Sequence, residues 1–344
     1  MQEKPKYTNI SELGEFALIQ RLTQNFKPVN GSTIKAVGDD AAVLDFKNKK
    51  TIVSTDLLVE GIHFDMMYMP LKHLGYKAVV VNLSDICAMN ATPTQITVSL
   101  AISSRFTVEA LDEIYAGIEL ACKHYKVDLI GGDTTSSTHG LIISVTALGE
   151  ADEADIVYRN GAKPGDLICV TGDLGAAYLG LQLLEREKQI YLEHPDVKPE
   201  LEGSEYLVGR QLKPEARLDI IEFFRDINLK PTSMIDLSDG LSSDMLHICK
   251  QSNVGCEINE SEIPIHEDAY QQALKFNLDP TTCALSGGED YELLFTIEPE
   301  DETKISDELV FSIIGQITSA EAGYNLLTKG GNRHSLKAQG WKHF

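Results

Sequence analysis

Acidic residues recur at turns beside apolar stretches: Gly38-Asp39-Asp40, Asn82-Leu83-Ser84-Asp85, Gly131-Gly132-Asp133, Asp236-Leu237-Ser238-Asp239-Gly240 and Gly287-Gly288-Glu289-Asp290. Asp56 joins them, preceded by the hydroxyls of Ser54 and Thr55. A single Asp-Gly turn is ordinary, because both residues suit turns for local backbone reasons. Recurrence carries the signal, since a chain that gathers hard-cation ligands needs acid-bearing turns next to buried elements. If Asp40, Asp56, Asp85, Asp133, Asp236 and Asp239 converge, two carboxylates about 4 Å apart repel by roughly 4 kcal/mol at an effective dielectric of 20. Cations must then be present, or some of the carboxylates stay protonated. Donors that are all oxygen, from Asp, Ser and Thr, match Mg²⁺ or Ca²⁺, whereas Zn²⁺ calls for His and Cys. No HExxH, no Cys/His ligand spacing and no EF-hand loop occurs.

The elements that position these residues follow from periodicity. Residues 7–26 read as an amphipathic helix. Thr51 to Thr55 is rich in β-branched residues and reads as a strand that delivers Asp56 to its end. His63 in Glu60-Gly61-Ile62-His63-Phe64 reads, taken alone, as a packed residue of an apolar strand. Lys72 to Asn90 is expected as a helix with Asn82 and Asp85 three apart on one face. An Asp on an apolar helix face must be paired or hydrated, which makes Asp85 a better ligand candidate than an exposed Asp. Gln95 to Ser103 is expected as a strand and Thr107 to Lys126 as a helix, with Leu111, Ile114, Ile118 and Cys122 on its inner stripe. By itself Tyr115 belongs to that core. Val127 to Asp133 reads as a strand ending in Gly-Gly-Asp, followed by a strand over Leu141 to Leu148. Strand and helix alternate, an α/β layer design.

Beyond Ala151 to Asp155, a small acidic link, the same alternation resumes. A strand over Leu167 to Thr171 leads through a glycine turn into a helix to about Glu187, and Tyr191 to Ser204 reads as a polar surface loop. Helices are expected over Pro214 to Asp226 and Ser242 to Gln251, and Lys329 to Asn332 reads as a hairpin turn. The expected domains are residues 1–150 and 151–344.

The 344 residues, 43% of them hydrophobic, suffice for two cores. Thirty basic against 52 acidic residues give a net charge of −22. That excludes nucleic-acid binding through a basic groove and attraction to an anionic membrane. A phosphorylated ligand is still admissible where metal ions stand between the negative parties. The six cysteines form no CxxC pair and read as buried reduced thiols of a cytoplasmic protein. Neither a secretory signal nor a run long enough to span a membrane is visible.

Several Mg²⁺ ions with few other charged groups point to phosphoryl transfer, where catalysis is positioning plus charge neutralisation. The familiar ATP signatures GxxxxGK[ST], VAIK and HRD are absent. The ordered set GDDAAV, STDLLVEGIHF, NLSDICAMNATP, LIGGDTT, YRNGAKPGD, DLSDGLSSD and SGGEDYELLFT instead resembles the thiamine-monophosphate kinase family, part of the aminoimidazole-ribonucleotide-synthetase-like superfamily, along nearly the whole chain. VEGIHF and SGGEDYELLF separate this branch from selenophosphate synthetases, whose N-terminal Cys or selenocysteine is missing.

The resemblance implies two α/β (α+β) domains, with the N-terminal sheets of two subunits pairing into a barrel-like homodimer core and the active site in the cleft between domains. It implies transfer of the γ-phosphate of ATP onto thiamine monophosphate. The family's metal positions fall on Asp40, Ser54, Thr55, Asp56, Asp85, Asp133, Asp236 and Asp239, with Asp56, Asp85 and Asp239 carrying catalysis. Its nucleotide contacts fall on Tyr115, Gly132, Asp133, Arg159 and Ser238, and its substrate contacts on His63, Glu289 and Trp341. Arg159 reads equally as a surface arginine in a turn. Potassium dependence stays open. The acceptor phosphate, whose second ionisation lies near pH 6, is largely dianionic at neutral pH, so no general base is needed. Direct in-line transfer is therefore expected, without a phosphoenzyme. Two rivals remain: a related superfamily synthetase (aminoimidazole ribonucleotide or selenophosphate type), and a non-catalytic acidic cation-binding protein.

Overall fold

The computed structural model describes residues 8, 15–37, 42–305 and 311–337. It divides into two compact units, Met1–Ile86 with Thr92–Glu153, and Cys87–Ala91 with Ala154–Phe344.

The first unit opens with a helix (α1, Glu15–Thr23) and a small hairpin of β1 (Thr33–Lys35) and β2 (Val43–Leu44). The strands β3 (Lys50–Val59), β4 (Thr92–Ile102), β5 (Asp128–Ser136) and β6 (Ile142–Ala151) then form a four-stranded sheet in the order β3-β6-β4-β5. Helices α2 (Leu71–Ala88) and α3 (Val108–Tyr125) supply the crossovers. Strand alternation buries Ile96, Val98 and Leu100 of β4 and Ile143, Val145 and Ala147 of β6 on one face. The other face leaves Val53 and Leu57 exposed, at 60% and 51%.

The two crossover helices touch through backbone. A Cβ on Gly75 of α2 would stand 2.0 Å from the Ile114 carbonyl oxygen, and one on Gly117 of α3 would stand 2.0 Å from that of Lys72. Only glycine allows so close a crossing. The expected stripe on α3 is buried as read, and its ends are marked by the Thr107 hydroxyl, which accepts from the Ala110 N–H at 3.3 Å, and by Lys126 in the left-handed conformation.

Two strands run further than their sequences announce. β3 pairs with β6 without interruption from Lys50 opposite Ala151 to Val59 opposite Ile142, so Asp56 lies inside the strand and not at its end. β5 continues past Gly131-Gly132-Asp133 to Ser136, because β4 offers its backbone partners as far as Ile102. His63, read as a strand residue, sits in the turn after β3.

The second unit holds a seven-stranded sheet in the order β13-β12-β9-β11-β7-β10-β8. Its strands are β7 (Leu167–Thr171), β8 (Ser233–Asp236), β9 (Gly255–Asn259), β10 (Leu293–Ile297), β11 (Phe311–Thr318), β12 (Tyr324–Leu327) and β13 (Arg333–Ser335). The helices are α4 (Ala176–Glu193), α5 (Glu205–Leu212), α6 (Leu218–Asp226), α7 (Leu241–Ser252), α8 (Glu267–Lys275), α9 (Pro280–Ser286) and α10 (Glu302–Ile305). All five residues of β10 are buried. The hairpin between β12 and β13 turns where expected, through the Thr328 N–H to the Asn332 carbonyl at 2.9 Å. α4 extends beyond Glu187, α6 starts at Leu218 and not Pro214, and α5 was not foreseen at all. The six cysteines are buried and unpaired. Among the described residues no helix is long and apolar enough to cross a membrane.

Candidate active site

In the first unit, Asn82 joins helix to strand. Its side chain is 1% exposed. Its Oδ1 accepts the Asp56 backbone N–H at 2.8 Å and its Nδ2 donates to the Ala78 carbonyl at 3.0 Å. This fixes α2 against the middle of β3. Asp85, about one helical turn on, then meets the even-numbered face of that strand, where the Ser54 hydroxyl donates to its Oδ2. Asp56 shares the face of Ser54. Burial, and secondarily the charge of Asp85, push the Asp56 carboxyl up to about 6. Ser54, Asp56 and Asp85 are therefore brought together, in an arrangement that is strained electrostatically until a cation or a proton arrives.

Other expected residues of this unit lie elsewhere. Alternation turns Thr55 to the opposite face, where its hydroxyl donates to the Val145 carbonyl at 3.0 Å. Asp133 pairs in register with Ser99, and β6 and β4 stand between its strand and β3. Three strand spacings amount to roughly 14 Å. A Cβ on Gly132 would lie 1.8 Å from the Val98 carbonyl oxygen, so that glycine is required by strand packing alone. Tyr115 is 8% exposed, with its ring edge-to-face on Phe26 at 6.3 Å, and burial raises its phenol to about 12. The His63 Nδ1 accepts the Val59 N–H at 3.0 Å, so the neutral ring carries its proton on Nε2. Asp40 and Trp341 lie outside the described residues.

In the second unit, β8 ends on Asp236, 3% exposed, and the following turn presents Ser238 and Asp239 before α7 begins. Asp244, 2% exposed on the first turn of α7, accepts the Asp239 N–H at 3.2 Å. Burial, then Asp236 and Asp239, push its carboxyl up to about 8, while the Asp239 N–H and Arg159 pull the other way. Arg159 thus stands within electrostatic reach of this acidic turn. Its loop is held by Ser252 at the far end of α7, whose hydroxyl oxygen accepts the N–H groups of Gly161 and Ala162 at 3.1 and 3.2 Å. Asp244 lies within the DLSDGLSSD stretch; an Asp in line with Leu241, Met245 and Ile248 on the apolar stripe of the helix, next to an acidic turn, was the available signal.

Glu289, Asp290 and Glu292 divide their work. Asp290, 2% exposed, accepts the N–H groups of Gly175 and Ala177 at 2.9 and 3.4 Å and so caps α4. Burial raises its carboxyl to about 7 in spite of Arg210 and these N–H groups. Glu292 takes Arg210 at 2.9 Å, Arg217 at 2.5 Å and the Thr171 hydroxyl at 2.6 Å. Glu289 has a left-handed φ of 58°, and its N–H donates to the Ser238 carbonyl at 2.8 Å. The expected nucleotide turn and the expected substrate turn are thus joined backbone to backbone. Arg210 and Arg217 escaped the sequence reading because their shared partner, Glu292, is roughly 75 to 80 residues away, a distance over which periodicity carries no information, and α5 escaped with them.

The donor sets fit Mg²⁺: they are all oxygen, and Mg²⁺ takes one or two carboxylates while keeping water and phosphate oxygens for its remaining positions. Among the described residues no three His, Cys, Asp or Glu side chains are grouped so as to hold a metal ion by themselves.

Family models agree with this architecture. The AIR synthase related protein N-terminal domain matches residues 38–151, and the corresponding C-terminal domain matches residues 163–324. Thiamine-monophosphate kinase of Buchnera aphidicola subsp. Schizaphis graminum is 38% identical over 97% of this chain and 99% of its own. The enzyme of that name from Escherichia coli K12 is 35% identical over 96% and 98%. The solved structure of AaThiL complexed with AMPPCP and TMP superposes with a TM-score of 0.75 at 31% identity, covering 100% of both chains. With identity of this order over almost its full length, the chain belongs to the thiamine-monophosphate kinase family.

Proposed function

We propose that this chain phosphorylates thiamine monophosphate with ATP, giving thiamine diphosphate and ADP, the last step of thiamine diphosphate formation. The observation that carries the reading is the full-length likeness to a relative solved with an ATP analogue and TMP. Residues 1–150 serve as the metal- and ATP-binding domain, and residues 151–344 complete the ATP and substrate sites.

Ser54, Asp56 and Asp85 would hold Mg²⁺ in the first domain, with Asp40 as a further ligand, and Asp236 and Asp239 in the second; the family's other metal positions, Thr55 on the opposite face of β3 and Asp133 three strands away, stand apart from this trio. Bound there, Mg²⁺ neutralises the repulsion between two polyanions and the charge that develops in transfer. The chain's own residues do the rest. Asn82 sets the helix so that Asp85 faces Asp56. Arg159 and Ser238 contact the nucleotide phosphates, Gly132 lets the nucleotide approach the backbone, and Tyr115 lines the adenine end. His63 offers its Nε2–H and Glu289 its carboxylate to the substrate, and Trp341 would be a further substrate contact, as the family resemblance implies. Because the acceptor phosphate is already ionised at neutral pH, no residue needs to take a proton, and transfer is direct and in line. The protein acts in the cytoplasm as a homodimer. The exposed Val53 and Leu57 on the outer face of the four-stranded sheet support pairing through that face.

The test is incubation with ATP, Mg²⁺ and thiamine monophosphate, with chromatographic detection of thiamine diphosphate. Absence of product together with turnover of a formylglycinamidine-type substrate would replace this reading with that of a related synthetase. Calcium binding without affinity for Mg²⁺ and a nonhydrolysable ATP analogue would replace it with that of a cation-binding protein.

A further inference from the structure

We propose that Gln211 is a positioning residue for substrate recognition, setting the orientation of the Glu289 carboxylate. The inference rests on the reading that Glu289 contacts thiamine monophosphate. Gln211 is 3% exposed at the end of α5, and its Nε2 donates to the Glu289 Oε2 at 2.7 Å. A buried primary amide does two things that other residues at this place would not. It fixes one carboxylate oxygen by a directional bond, and, being neutral, it places no opposing charge beside Glu289. A lysine would form an ion pair and cancel the charge that a cationic ligand, or one presenting an N–H donor, seeks.

The amide can set a position because its own helix is fixed. α5 packs on α4 where a Cβ on Gly180 would stand 2.1 Å from the Leu207 carbonyl oxygen. Arg210, the neighbouring residue, binds Glu292 at 2.9 Å and the carbonyls of Asp173 and Asp290 at 3.1 and 3.3 Å. Tyr206, at the start of α5, donates its hydroxyl to Asp173. The other half of the constraint comes from the Glu289 backbone. Its left-handed φ of 58° follows Gly288 at 73°, where a Cβ would lie 2.6 Å from the Ser238 carbonyl oxygen. A bulky residue is held in that region only when its surroundings over-determine it, and such outliers gather at ligand clamps. Helix α5 therefore grips the SGGEDYE segment at several points, and Gln211 is the one that reaches the residue expected to meet substrate.

The test is a cycle of Gln211→Leu, Glu289→Ala and the double variant, with Gln211→Met as a second replacement of similar volume. Steady-state KM and kcat for thiamine monophosphate are measured alongside calorimetric affinity for AMPPCP with Mg²⁺. The expected result for Gln211→Leu and Gln211→Met is a rise in KM for thiamine monophosphate of about ten-fold, the order expected for losing a hydrogen bond to a charged group, with AMPPCP affinity within about two-fold of the parent's. In the Glu289→Ala background the Gln211 replacement should add nothing. A raised KM in Glu289→Ala but not in the Gln211 variants overturns the proposal and leaves the role of Glu289 intact. Equal weakening of nucleotide and substrate, or full additivity in the double variant, makes Gln211 a purely structural residue and also overturns it. An unchanged KM in Glu289→Ala removes the reading of Glu289 itself, a failure that this single variant identifies separately.

Discussion

Replacing Asp56 by Asn should make the metal-free protein more stable while abolishing its activity. The Asp56 carboxyl, near 3.8 when unfolded, is raised to about 6 by burial and by Asp85. The folded state therefore binds this proton more tightly than the unfolded state does. Stability from this group is greatest below about pH 4, declines as pH rises through the interval to 6, and is fully lost above it. A shift of roughly 2 pH units corresponds to about 3 kcal/mol, which partial exposure reduces to about 2. Asparagine has nearly the same shape and no charge, and the Asn82 bond is made to the backbone N–H at this position, so it survives the change. Urea unfolding at pH 4.5, 6 and 7.5 in chelator should show the variant gaining on the parent as pH rises, to about 2 kcal/mol at pH 7.5. Saturating Mg²⁺ and AMPPCP should reverse the order, since a ligand at 100 times its Kd stabilises the parent by about 2.7 kcal/mol. Thiamine diphosphate production by the variant should be nearly lost. An Asn variant that is less stable than the parent at pH 7.5 without metal, or that keeps near-parental transfer, refutes the assignment of Asp56 as a charged ligand paired with Asp85.

Two further outcomes test the scaffold. Gly75→Ala drives a Cβ to 2.0 Å from the Ile114 carbonyl and should cost about 3 kcal/mol in urea unfolding, with activity falling because α2 carries Asn82 and Asp85. Gly31→Ala, where nothing lies within 4 Å, serves as the control and should change stability by less than about 0.5 kcal/mol. Glu292→Gln removes the charge that binds both Arg210 and Arg217 at a position only 4% exposed. It should lower stability by about 3 to 5 kcal/mol; a loss below about 1 kcal/mol in the same melts would show that the two arginines find other partners.

Much about this protein is legible in the amino-acid order alone. β-branched runs, the stripe on Val108–Tyr125 and the turn at Lys329–Asn332 are local features, decided by backbone preference and by which face is apolar, so periodicity finds them. The family was legible too, because the ordered motifs restrict it. The tertiary structure decided what depends on distant partners. Asp56 lies mid-strand because β6 supplies ten consecutive backbone partners, which no local signal in Thr51–Thr55 announces. Asp85 faces Ser54 and Asp56 because Asn82 ties α2 to β3, whereas Thr55, adjacent in sequence, is turned away by the two-residue period of the strand. Asp290 and Glu292 sit beside Glu289 and look interchangeable with it in the sequence. Only folding made the first a helix cap and the second an arginine bridge, since each role is conferred by a residue more than 70 positions away.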